Sequence, residues 1–435
     1  MHRPSPSRLL AAGAALGLAL AAGPARADRP TVVVDAPDFR PLPLAVAPFL
    51  SAGEPAAAGA AVDLLRRDLA LSGLFELLDP RSFLADPGEG LAAGAIAFGR
   101  WTDVGADGLV KAQLGRDADG LTAELRVYDV RAAREVLSRH LSAPDARGLA
   151  HAMADEIVRL YTGEPGIFRT RIAAVRTVPE GRQLVVADAD GGDLQILLTE
   201  RALLLMPAWS PDGRSILVTS FRGGGPELWI YRLAERSFRR LPTGHQAMGG
   251  AWSPDGTRIA FTSIDGGDTD VWVCRADGSG ARRLTTSSAL DLSPAWSPDG
   301  RRIAFVSDRA GTPQIYVMNA DGSEQRRITF QGNYNQTPTW SPRGDLIAFT
   351  ARDERKVFDL FVVSPETGKI DRLTQDQGRT NEEPSWAPNG RLLVFTSDRS
   401  GPPSLIVSDP RGDRQIGLPV GGELATPAWG PLPRD

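Results

Sequence analysis

The amino-acid sequence predicts a two-domain protein, in which an N-terminal α/β (α+β) domain is followed by a six-bladed all-β propeller closed by the C-terminal strand. Two observations lead to this prediction. Tryptophan recurs every 43 to 46 residues through the second part of the chain, and a fixed period of this length indicates one supersecondary unit per repeat. Residues 28–164 lack the repeat and alternate strand-like with helix-like patterns.

The first 27 residues have the pattern of a secretory signal peptide. Arg3 and Arg8 precede an apolar run at 9–22, and Ala25-Arg26-Ala27 forms a small-x-small cleavage pattern. A membrane-anchoring helix is the alternative, but the run of about 14 residues is shorter than the roughly 20 that a spanning helix needs. We therefore expect cleavage after Ala27, localisation in the periplasm and no direct membrane insertion.

Residues 28–164 are predicted to form the small α/β domain. Apolar residues at helical spacing predict two helices, and Asp145 is placed to cap the second. Turns at 105–108 and 117–120 suggest an antiparallel meander between the helices. The predicted elements are strands at 31–34 and 44–47, a helix at 56–70, a meander at 95–104, 109–114, 121–130 and 135–141, and a helix at 145–160. A linker at 163–166 leads into the propeller, which we assign to 165–435.

Each repeat of the propeller reads as four short strands. The first strand carries the tryptophan, and a Ser-Pro-Asp-Gly turn or a variant of it follows in five of the six repeats. Proline presets φ in this turn, and glycine takes the conformation with positive φ. Four strands in about 43 residues form the blade of a β-propeller. The repeated tryptophans, which we expect to pack between blades, are Trp209, Trp252, Trp296, Trp340, Trp386 and Trp429.

The last repeat is incomplete, because only six residues follow Trp429. Its three missing strands are predicted before the first repeat, at 171–178, 183–187 and 194–199. We expect the last strand of the chain to pair with them and close the ring. Closure removes free sheet edges, which would otherwise promote aggregation.

Composition excludes several classes of protein. The chain has 49 Lys+Arg against 53 Asp+Glu, and such a balance argues against a nucleic-acid binder, which needs a basic face. The single cysteine, Cys274, excludes an intrachain disulfide and a zinc–cysteine site. Its apolar strand context predicts a buried side chain.

The sequence contains no recognisable catalytic, phosphate-binding or metal-binding motif. The sequence contains neither a Gly-x-Ser-x-Gly elbow nor a phosphate loop. His140, His151 and His245 are isolated in sequence, which does not favour a metal site. Residues 188–193 resemble a calcium loop but lack an oxygen ligand at position 5 and a glutamate at position 12, so we expect a plain turn. We therefore predict no catalytic residue, no cofactor and no metal.

The loops that enter the tryptophan strands are polar, and in a propeller they gather around one mouth of the channel. A solvated loop is the alternative for each residue taken singly, but convergence from several blades favours a binding face. The predicted contact residues are His245, Gln246, Asp291, Asn335, Gln336, Asn381, Glu382 and Glu383.

Two other functions for this mouth remain open. An enzyme acting on a carbohydrate or lactone would use clustered carboxylates, for which Asp291, Glu382 and Glu383 are candidates. A lectin would need exposed aromatic residues, for which Tyr334 is the candidate.

Residues 28–40 form a second candidate binding element. A run of valines favours an extended strand, while Pro37, Pro41 and Pro43 block its continuation into a sheet interior. Such a segment can dock on an exposed sheet edge of a partner, although a fixed edge strand of the first domain is the alternative. The predicted contact residues here are Asp28, Arg29, Thr31, Val32, Val33, Val34 and Asp35.

These motifs resemble the periplasmic TolB family of the Tol-Pal system. The resemblance rests on the Pro-Ala-Trp-Ser-Pro-Asp-Gly repeats and Ser-Asp-Arg-x-Gly turns, and more specifically on residues 44–49, 68–75 and 166–172. It implies a non-enzymatic adaptor that binds the peptidoglycan-associated lipoprotein Pal at the propeller mouth and TolA through its extreme N-terminus. Family members support outer-membrane integrity and its constriction during cell division. We expect a monomer in the absence of these partners.

Overall fold

The computed structural model describes residues 39–433, except 87, 119, 266 and 353. The predicted signal peptide and the strand at 31–34 lie outside the described residues. The N-terminal domain is a mixed sheet with two long helices packed on it. Its strands are β1 (Leu42–Val46), β2 (Leu50–Ser51), β3 (Phe75–Leu77), β4 (Gly108–Arg116), β5 (Leu121–Asp129) and β6 (Arg134–Ala143). Its helices are α1 (Pro55–Ser72), α2 (Phe98–Asp103) and α3 (Ala146–Thr162), with short 3₁₀ turns at Pro80–Ser82 and Ala93–Ala95.

The sheet of this domain has the order β3-β1-β4-β5-β6. β1 runs parallel to β3 and to β4, whereas β4, β5 and β6 form the predicted antiparallel meander. The α3 helix begins where predicted, because the Asp145 carboxylate accepts a hydrogen bond from the Gly148 N–H at 2.8 Å. Gly163, at φ 74°, ends the helix in the left-handed conformation that glycine adopts without strain.

The strand predicted at 95–104 is wrong, because this segment forms the α2 helix. Phe98, Trp101 and Val104 are spaced by three residues, so a helical turn brings all three to one hydrophobic cluster. Trp101 is buried, and its ring packs edge-on against Phe83 at a centroid distance of 5.0 Å. An extended strand would have placed Phe98 and Trp101 on opposite faces.

The remaining strands form six four-stranded antiparallel sheets, the blades of the propeller. Blade 1 contains β10 (Leu204–Trp209), β11 (Ser215–Ser220), β12 (Glu227–Arg232) and β13 (Ser237–Arg240). Blade 2 contains β14 (Ala247–Trp252), β15 (Arg258–Asp265), β16 (Asp268–Arg275) and β17 (Arg282–Arg283). Blade 3 contains β18 (Asp291–Trp296), β19 (Arg302–Ser307), β20 (Gln314–Asn319) and β21 (Arg326–Arg327).

The other three blades follow the same order, with a split last blade. Blade 4 contains β22 (Asn335–Trp340), β23 (Ile347–Arg352), β24 (Phe358–Val363) and β25 (Ile370–Arg372). Blade 5 contains β26 (Asn381–Trp386), β27 (Leu393–Ser397), β28 (Ser404–Ser408) and β29 (Gln415–Gly417). Blade 6 contains β30 (Glu423–Trp429) together with β7 (Arg171–Val178), β8 (Gly181–Asp188) and β9 (Gln195–Glu200), in the order β30-β7-β8-β9. The predicted closure by the C-terminal strand is therefore confirmed.

The repeated tryptophans pack between blades, as predicted. Trp209 Nε1 donates to the Ala428 carbonyl of the preceding blade at 3.1 Å, and Trp386 Nε1 donates to the Thr339 carbonyl at the same distance. Cys274 is buried in blade 2, also as predicted. No helix among the described residues has both the length and the apolar composition needed to cross a membrane.

The N-terminal domain packs on the end of the propeller where the tryptophan strands finish. Glu164 of the interdomain connection pairs with Arg343 and Arg391, in the turns that follow Trp340 and Trp386. On the same end, the Arg414 guanidinium donates to the Ala70 carbonyl of α1. Among the described residues, the first domain thus leaves the opposite end, where the tryptophan strands begin, uncovered.

Candidate functional site at the propeller mouth

We define the mouth as the end of the propeller at which the six inner strands, β10, β14, β18, β22, β26 and β30, begin. A channel of about 290 Å³ runs between these strands. Each inner strand carries a bulge at its third or fourth residue, and one residue per bulge takes a left-handed backbone conformation. These residues are Met206, Gly249, Ser293, Thr337, Glu383 and Thr426, with φ between 49° and 61°.

Neighbouring blades are tied together at these bulges. The backbone N–H groups of Gly249, Ser293 and Glu383 each donate to a threonine Oγ1 in the preceding blade, at 3.0 to 3.1 Å. Because each non-glycine residue with positive φ carries a conformational cost, these tight hydrogen bonds help to hold the bulges in place. The channel wall is consequently a fixed ring rather than a set of independent loops.

Exposed apolar side chains concentrate at the mouth, which the sequence analysis did not predict. Five large hydrophobic residues are exposed among the described residues, and Leu203, Leu290 and Phe330 lie in loops that enter inner strands. Phe330 is 71% exposed, with the Arg327 guanidinium 5.0 Å from its ring centroid. Exposed apolar residues rimmed by polar groups are typical of protein-binding surfaces. The sequence did not predict this apolar surface, because an isolated Leu or Phe in a loop is common in soluble proteins.

Six of the eight predicted mouth residues lie in inner strands rather than in loops, and three of these six are buried. Asp291, Asn335 and Asn381 are the first residues of β18, β22 and β26, and each side chain is at most 1% exposed. The Asp291 carboxylate accepts hydrogen bonds from Arg309, and the Asn381 amide oxygen accepts one from Arg399. These side chains hold the blades together beneath the mouth, so the expectation that they present themselves to a partner is corrected.

Four predicted residues are partly or fully exposed at the mouth. Gln246 is exposed, while His245, Gln336 and Glu382 are half-buried. The His245 ring lies 4.2 Å from the Trp272 ring. Gln336 Nε2 donates to Glu382 Oε1 at 3.2 Å, and this hydrogen bond joins blades 4 and 5 across the channel rim.

Glu383, the last of the eight, lies at the junction of blades 5 and 6. Its Oε2 accepts hydrogen bonds from the Thr426 N–H at 2.7 Å and from Thr396 Oγ1 at 3.0 Å. Burial raises the pKa of Glu383, although these two hydrogen bonds oppose the shift. The residue is therefore a structural tie in the channel wall.

Glu382 has an unusual electrostatic environment. Burial, together with the nearby carboxylates of Glu383 and Asp398, raises its pKa to about 7. The ionised form of a carboxyl group is disfavoured both by desolvation and by like charge. Charge at the mouth can therefore change near neutral pH.

The N-terminal contact residues, Asp28, Arg29, Thr31, Val32, Val33, Val34 and Asp35, lie outside the described residues. They remain a prediction.

A second polar cluster, at the domain interface, was missed by the sequence analysis. His151 of α3 lies beside Asp188 and Asp190 of the propeller, close enough for the three to share an ion. However, Arg147 Nε already donates to Asp188 Oδ2 at 2.6 Å, and Arg147 Nη2 donates to Asp190 Oδ1. The turn at 188–193 was predicted. Its partners in α3, His151 and Arg147, are 37 or more residues away in sequence, so no local pattern predicted the cluster.

Both domains of this chain match those of known proteins in sequence. The family model described as the TolB amino-terminal domain matches residues 30–136, and the TolB beta propeller domain model matches residues 158–433. A Tol-Pal system protein TolB from Anaeromyxobacter dehalogenans strain 2CP-1 is 64% identical over 96% of this chain and 98% of its own length. The corresponding Myxococcus xanthus protein is 49% identical over 46% of this chain and 48% of its length.

A solved structure agrees with these sequence matches. The crystal structure of TolB from Acinetobacter baumannii is similar over 90% of this chain and 97% of that chain, with a TM-score of 0.81 and 28% identity.

Proposed function

This chain belongs to the TolB family and is a component of the Tol-Pal system, and from that premise we propose that it is a non-enzymatic periplasmic adaptor. It binds the lipoprotein Pal through the propeller mouth and TolA through residues 28–40. In this role it supports outer-membrane integrity and membrane constriction during cell division.

The observation that carries the proposal is the placement of exposed apolar residues on the uncovered end of the propeller. Leu203, Leu290 and Phe330 lie around the channel rim, and the N-terminal domain occupies the other end. Buried aromatic anchors supply much of the affinity of protein interfaces. Half-buried polar groups such as Gln336 and Glu382 would form the rim around them.

The alternative of a carbohydrate-directed enzyme or lectin has less support from the same geometry. Glu383 Oε2 is occupied by hydrogen bonds from Thr396 and Thr426, and Asp291 is buried against Arg309. Of the three candidate carboxylates, Glu383 lines the channel but is tied into its wall, and Glu382 is half-buried and accepts a hydrogen bond from Gln336. Retaining and inverting hydrolases both need a pair of available carboxyl groups.

Calorimetric titration of Pal into variants of the mature chain tests the mouth. Phe330→Ala and Leu290→Ala are each expected to raise the dissociation constant about tenfold, equivalent to about 1.4 kcal/mol. Ile196→Ala is the matched control, because Ile196 is 53% exposed on β9 at the outer edge of blade 6. Unchanged affinity for both mouth variants would place the Pal site elsewhere.

The TolA site is tested with a chain that begins at Phe39, the first described residue. We expect this chain to keep its fold and its affinity for Pal, because the described domain begins with β1 at Leu42. Its affinity for TolA should be lost. Equal TolA affinity in the full and shortened chains would contradict the assignment of residues 28–40.

A further inference from the structure

Blade 3 contains an internal arginine site at the mouth. The Arg309 guanidinium donates to Ser307 Oγ at 2.8 Å, to Gln325 Oε1 at 2.7 Å and to the Asp291 carboxylate at 2.9 Å. It also lies 5.5 Å from the centroid of the Phe305 ring. Planar stacking and several directed hydrogen bonds are the features by which proteins recognise a guanidinium group.

Blade 5 repeats the same site with the same geometry. Arg399 donates to Ser397 Oγ at 2.9 Å, to Gln415 Oε1 at 2.6 Å and to Asn381 Oδ1 at 2.9 Å. Its guanidinium lies 5.3 Å from the centroid of the Phe395 ring. An asparagine oxygen can thus replace the aspartate as an acceptor for arginine at this position.

Blade 4 keeps half of this site but lacks the arginine. By strand register, Asn335 pairs with Ala351 as Asn381 pairs with Ser397, so alanine replaces the serine. Two positions after Ala351, the sequence has Asp353 where blades 3 and 5 have arginine. Ile370 replaces the glutamine, while Phe349 keeps the aromatic ring.

A cavity of about 600 Å³ occupies the corresponding part of blade 4. Its floor is aromatic, with the Phe349 and Phe361 rings stacked at a centroid distance of 5.8 Å. Exposed residues of the loops at 331–333 and 354–355 line its entrance on the mouth side. The space is large enough for a long side chain to enter from outside.

The Asn335 side chain is oriented for a donor from that cavity. Its Nδ2 donates to Gln314 Oε1 at 2.9 Å and to the Gln331 carbonyl at 3.0 Å. Asn381 Nδ2 donates in the same way to Asp359 Oδ1 of blade 4 and to the Gln377 carbonyl of the loop before β26. Asn335 Oδ1 is buried and accepts no hydrogen bond from any described residue. Leaving a buried acceptor unsatisfied costs free energy, and a donor supplied from outside would recover it.

The charges around the cavity permit a cation. Two arginines of its wall are already paired with carboxylates: Arg355 with Asp376, and Arg372 with Asp359. Arg352 lies over the Tyr334 ring, and exposed Glu354 adds a carboxylate at the entrance. An anion could not satisfy Asn335 Oδ1, because that atom needs a donor.

We infer that the blade 4 cavity is a receptor for an arginine side chain of the protein bound at the mouth, which takes the place of the arginine that blades 3 and 5 supply themselves. The guanidinium lies on Phe349, because the Arg372 guanidinium already lies 5.5 Å from the centroid of the Phe361 ring, and it donates to Asn335 Oδ1. The assignment of the arginine to Pal rests on the proposed function. The recognition of a guanidinium group by the cavity does not.

The first experiment tests the cavity alone. The ¹⁵N-labelled mature chain is titrated with N-acetyl-arginine amide while the side-chain amide resonance of Asn335 is followed by NMR. A saturable shift is expected, at a dissociation constant at least about fivefold lower than for N-acetyl-lysine amide, because an ammonium group cannot stack as a planar fork. An absent response, an equal response to lysine, or a shift caused by phosphate instead would overturn the inference.

The second experiment fills the cavity from within. Asp353→Arg combined with Ala351→Ser and Ile370→Gln gives blade 4 the arginine, serine and glutamine of the blade 5 site, in which an asparagine is likewise the acceptor. This variant is expected to raise the melting temperature and abolish the response to N-acetyl-arginine amide. Glu235→Arg makes the same charge change as Asp353→Arg on the exposed turn between β12 and β13 and should leave both quantities unchanged. A triple variant that still responds to the probe as the unmodified chain does would contradict the site.

Pal binding then separates the two proposals. The triple variant should bind Pal at least about tenfold more weakly than the Glu235→Arg variant. If the triple variant binds Pal as well as the unmodified chain does, Pal does not supply the arginine. The assignment of the arginine to Pal is then wrong. If the unmodified chain does not bind Pal, the proposed function fails, while the NMR titration still decides whether the cavity binds a guanidinium group.

Discussion

Glu383 ties the closing strand β30 to the neighbouring blade 5. In blades 2, 3 and 5, the backbone N–H at the bulge donates to a threonine Oγ1 of the preceding blade. In blade 6, the Thr426 N–H donates instead to the Glu383 carboxylate of blade 5. The carboxylate also accepts a hydrogen bond from Thr396 Oγ1 of blade 5. This junction ties the closing strand β30 to blade 5, while the pairing of β30 with β7 joins the two ends of the propeller sequence.

We therefore predict that Glu383→Ala lowers the free energy of unfolding by about 1–3 kcal/mol, because it leaves the buried Thr426 N–H without an acceptor. Urea denaturation followed by tryptophan fluorescence measures the change. Glu383→Gln is the matched control, since its amide oxygen can accept the same hydrogen bonds, and Glu423→Ala controls for the loss of an exposed glutamate in blade 6. Equal destabilisation by the alanine and glutamine variants at position 383 would contradict this role.

At the residue scale, the sequence predicted the location of the mouth better than the exposure of its side chains. Asp291, Asn335 and Asn381 immediately follow polar loops, yet their side chains point between strands and accept or donate hydrogen bonds within the fold. Burial of a polar residue depends on partners elsewhere in the fold, such as Arg309 in the turn after β19, and the order of residues in the sequence does not reveal these partners. The exposed Phe330 was missed for the converse reason, because its surroundings are set by the assembled blades.

The blade is the element that the sequence determines most directly. The Trp-Ser-Pro-Asp-Gly pattern marks both the end of an inner strand and the turn after it. The Ser253 hydroxyl accepts from the Arg258 N–H at 2.9 Å and donates to Asp255 at 2.6 Å, which closes the turn. Ser297 and Asp299 repeat this arrangement in blade 3. Because the turn is held by its own residues, local sequence sufficed to predict it.

Elements held by distant contacts were harder to predict. The α2 helix has six residues and includes Gly99, and its apolar residues pack against a cluster built from β1, β4 and β5. Its conformation is decided by that packing rather than by helix propensity. The split blade 6 was nevertheless predictable, because an incomplete final repeat requires its strands to come from elsewhere in the sequence.

The closing strand β30 leads to a prediction at the scale of the element. Its backbone pairs with β7 on both sides of the bulge, Leu424 is fully buried, and Trp429 Nε1 donates to Thr170 Oγ1 at 2.8 Å. Deletion of residues 425–435 should therefore unfold the propeller rather than trim a tail, because it exposes the edge of β7 and the core behind it. The measurement is thermal unfolding by circular dichroism.

A chain that ends after residue 431 is the control for this deletion, since it keeps β30 intact and lacks only the last four residues of the sequence. We expect the control to melt like the full chain. An unchanged melting temperature for the larger deletion would refute the closure.

The whole molecule is held together by contacts between the N-terminal domain and the propeller, and one of these contacts is charged and buried. His151 Nδ1 of α3 lies 2.7 Å from Asp68 Oδ2 in α1, and His151 Nε2 lies 3.6 Å from Asp188 Oδ2 in the propeller. Arg147 of α3 contacts Asp188 and Asp190 from the other side. The cluster thus places two cationic side chains of one domain among three carboxylates, two of which belong to the other domain.

The protonation of His151 should link the stability of this interface to pH. Burial alone would lower the pKa of His151, but the carboxylates of Asp188 and Asp68 outweigh it and raise the pKa from 6.5 to about 9. A histidine with a raised pKa binds its proton more tightly in the folded state than in the unfolded state. Its contribution to stability is therefore complete below pH 6.5 and is lost as the pH rises through about 9.

We predict that the free energy of unfolding of the unmodified chain decreases between pH 6.5 and 9.5 by up to about 3 kcal/mol more than that of His151→Gln, following the shift of the histidine pKa to about 9. Urea titrations at several pH values measure both curves, and the variant removes from the comparison every other group that titrates in this range. His245→Gln is the matched control, because this histidine lies at the mouth, away from the domain interface. If the difference in unfolding free energy between the unmodified chain and His151→Gln stays constant from pH 6.5 to 9.5, the buried cluster does not hold a protonated histidine, and the two domains are joined by neutral contacts and the arginine pairs alone.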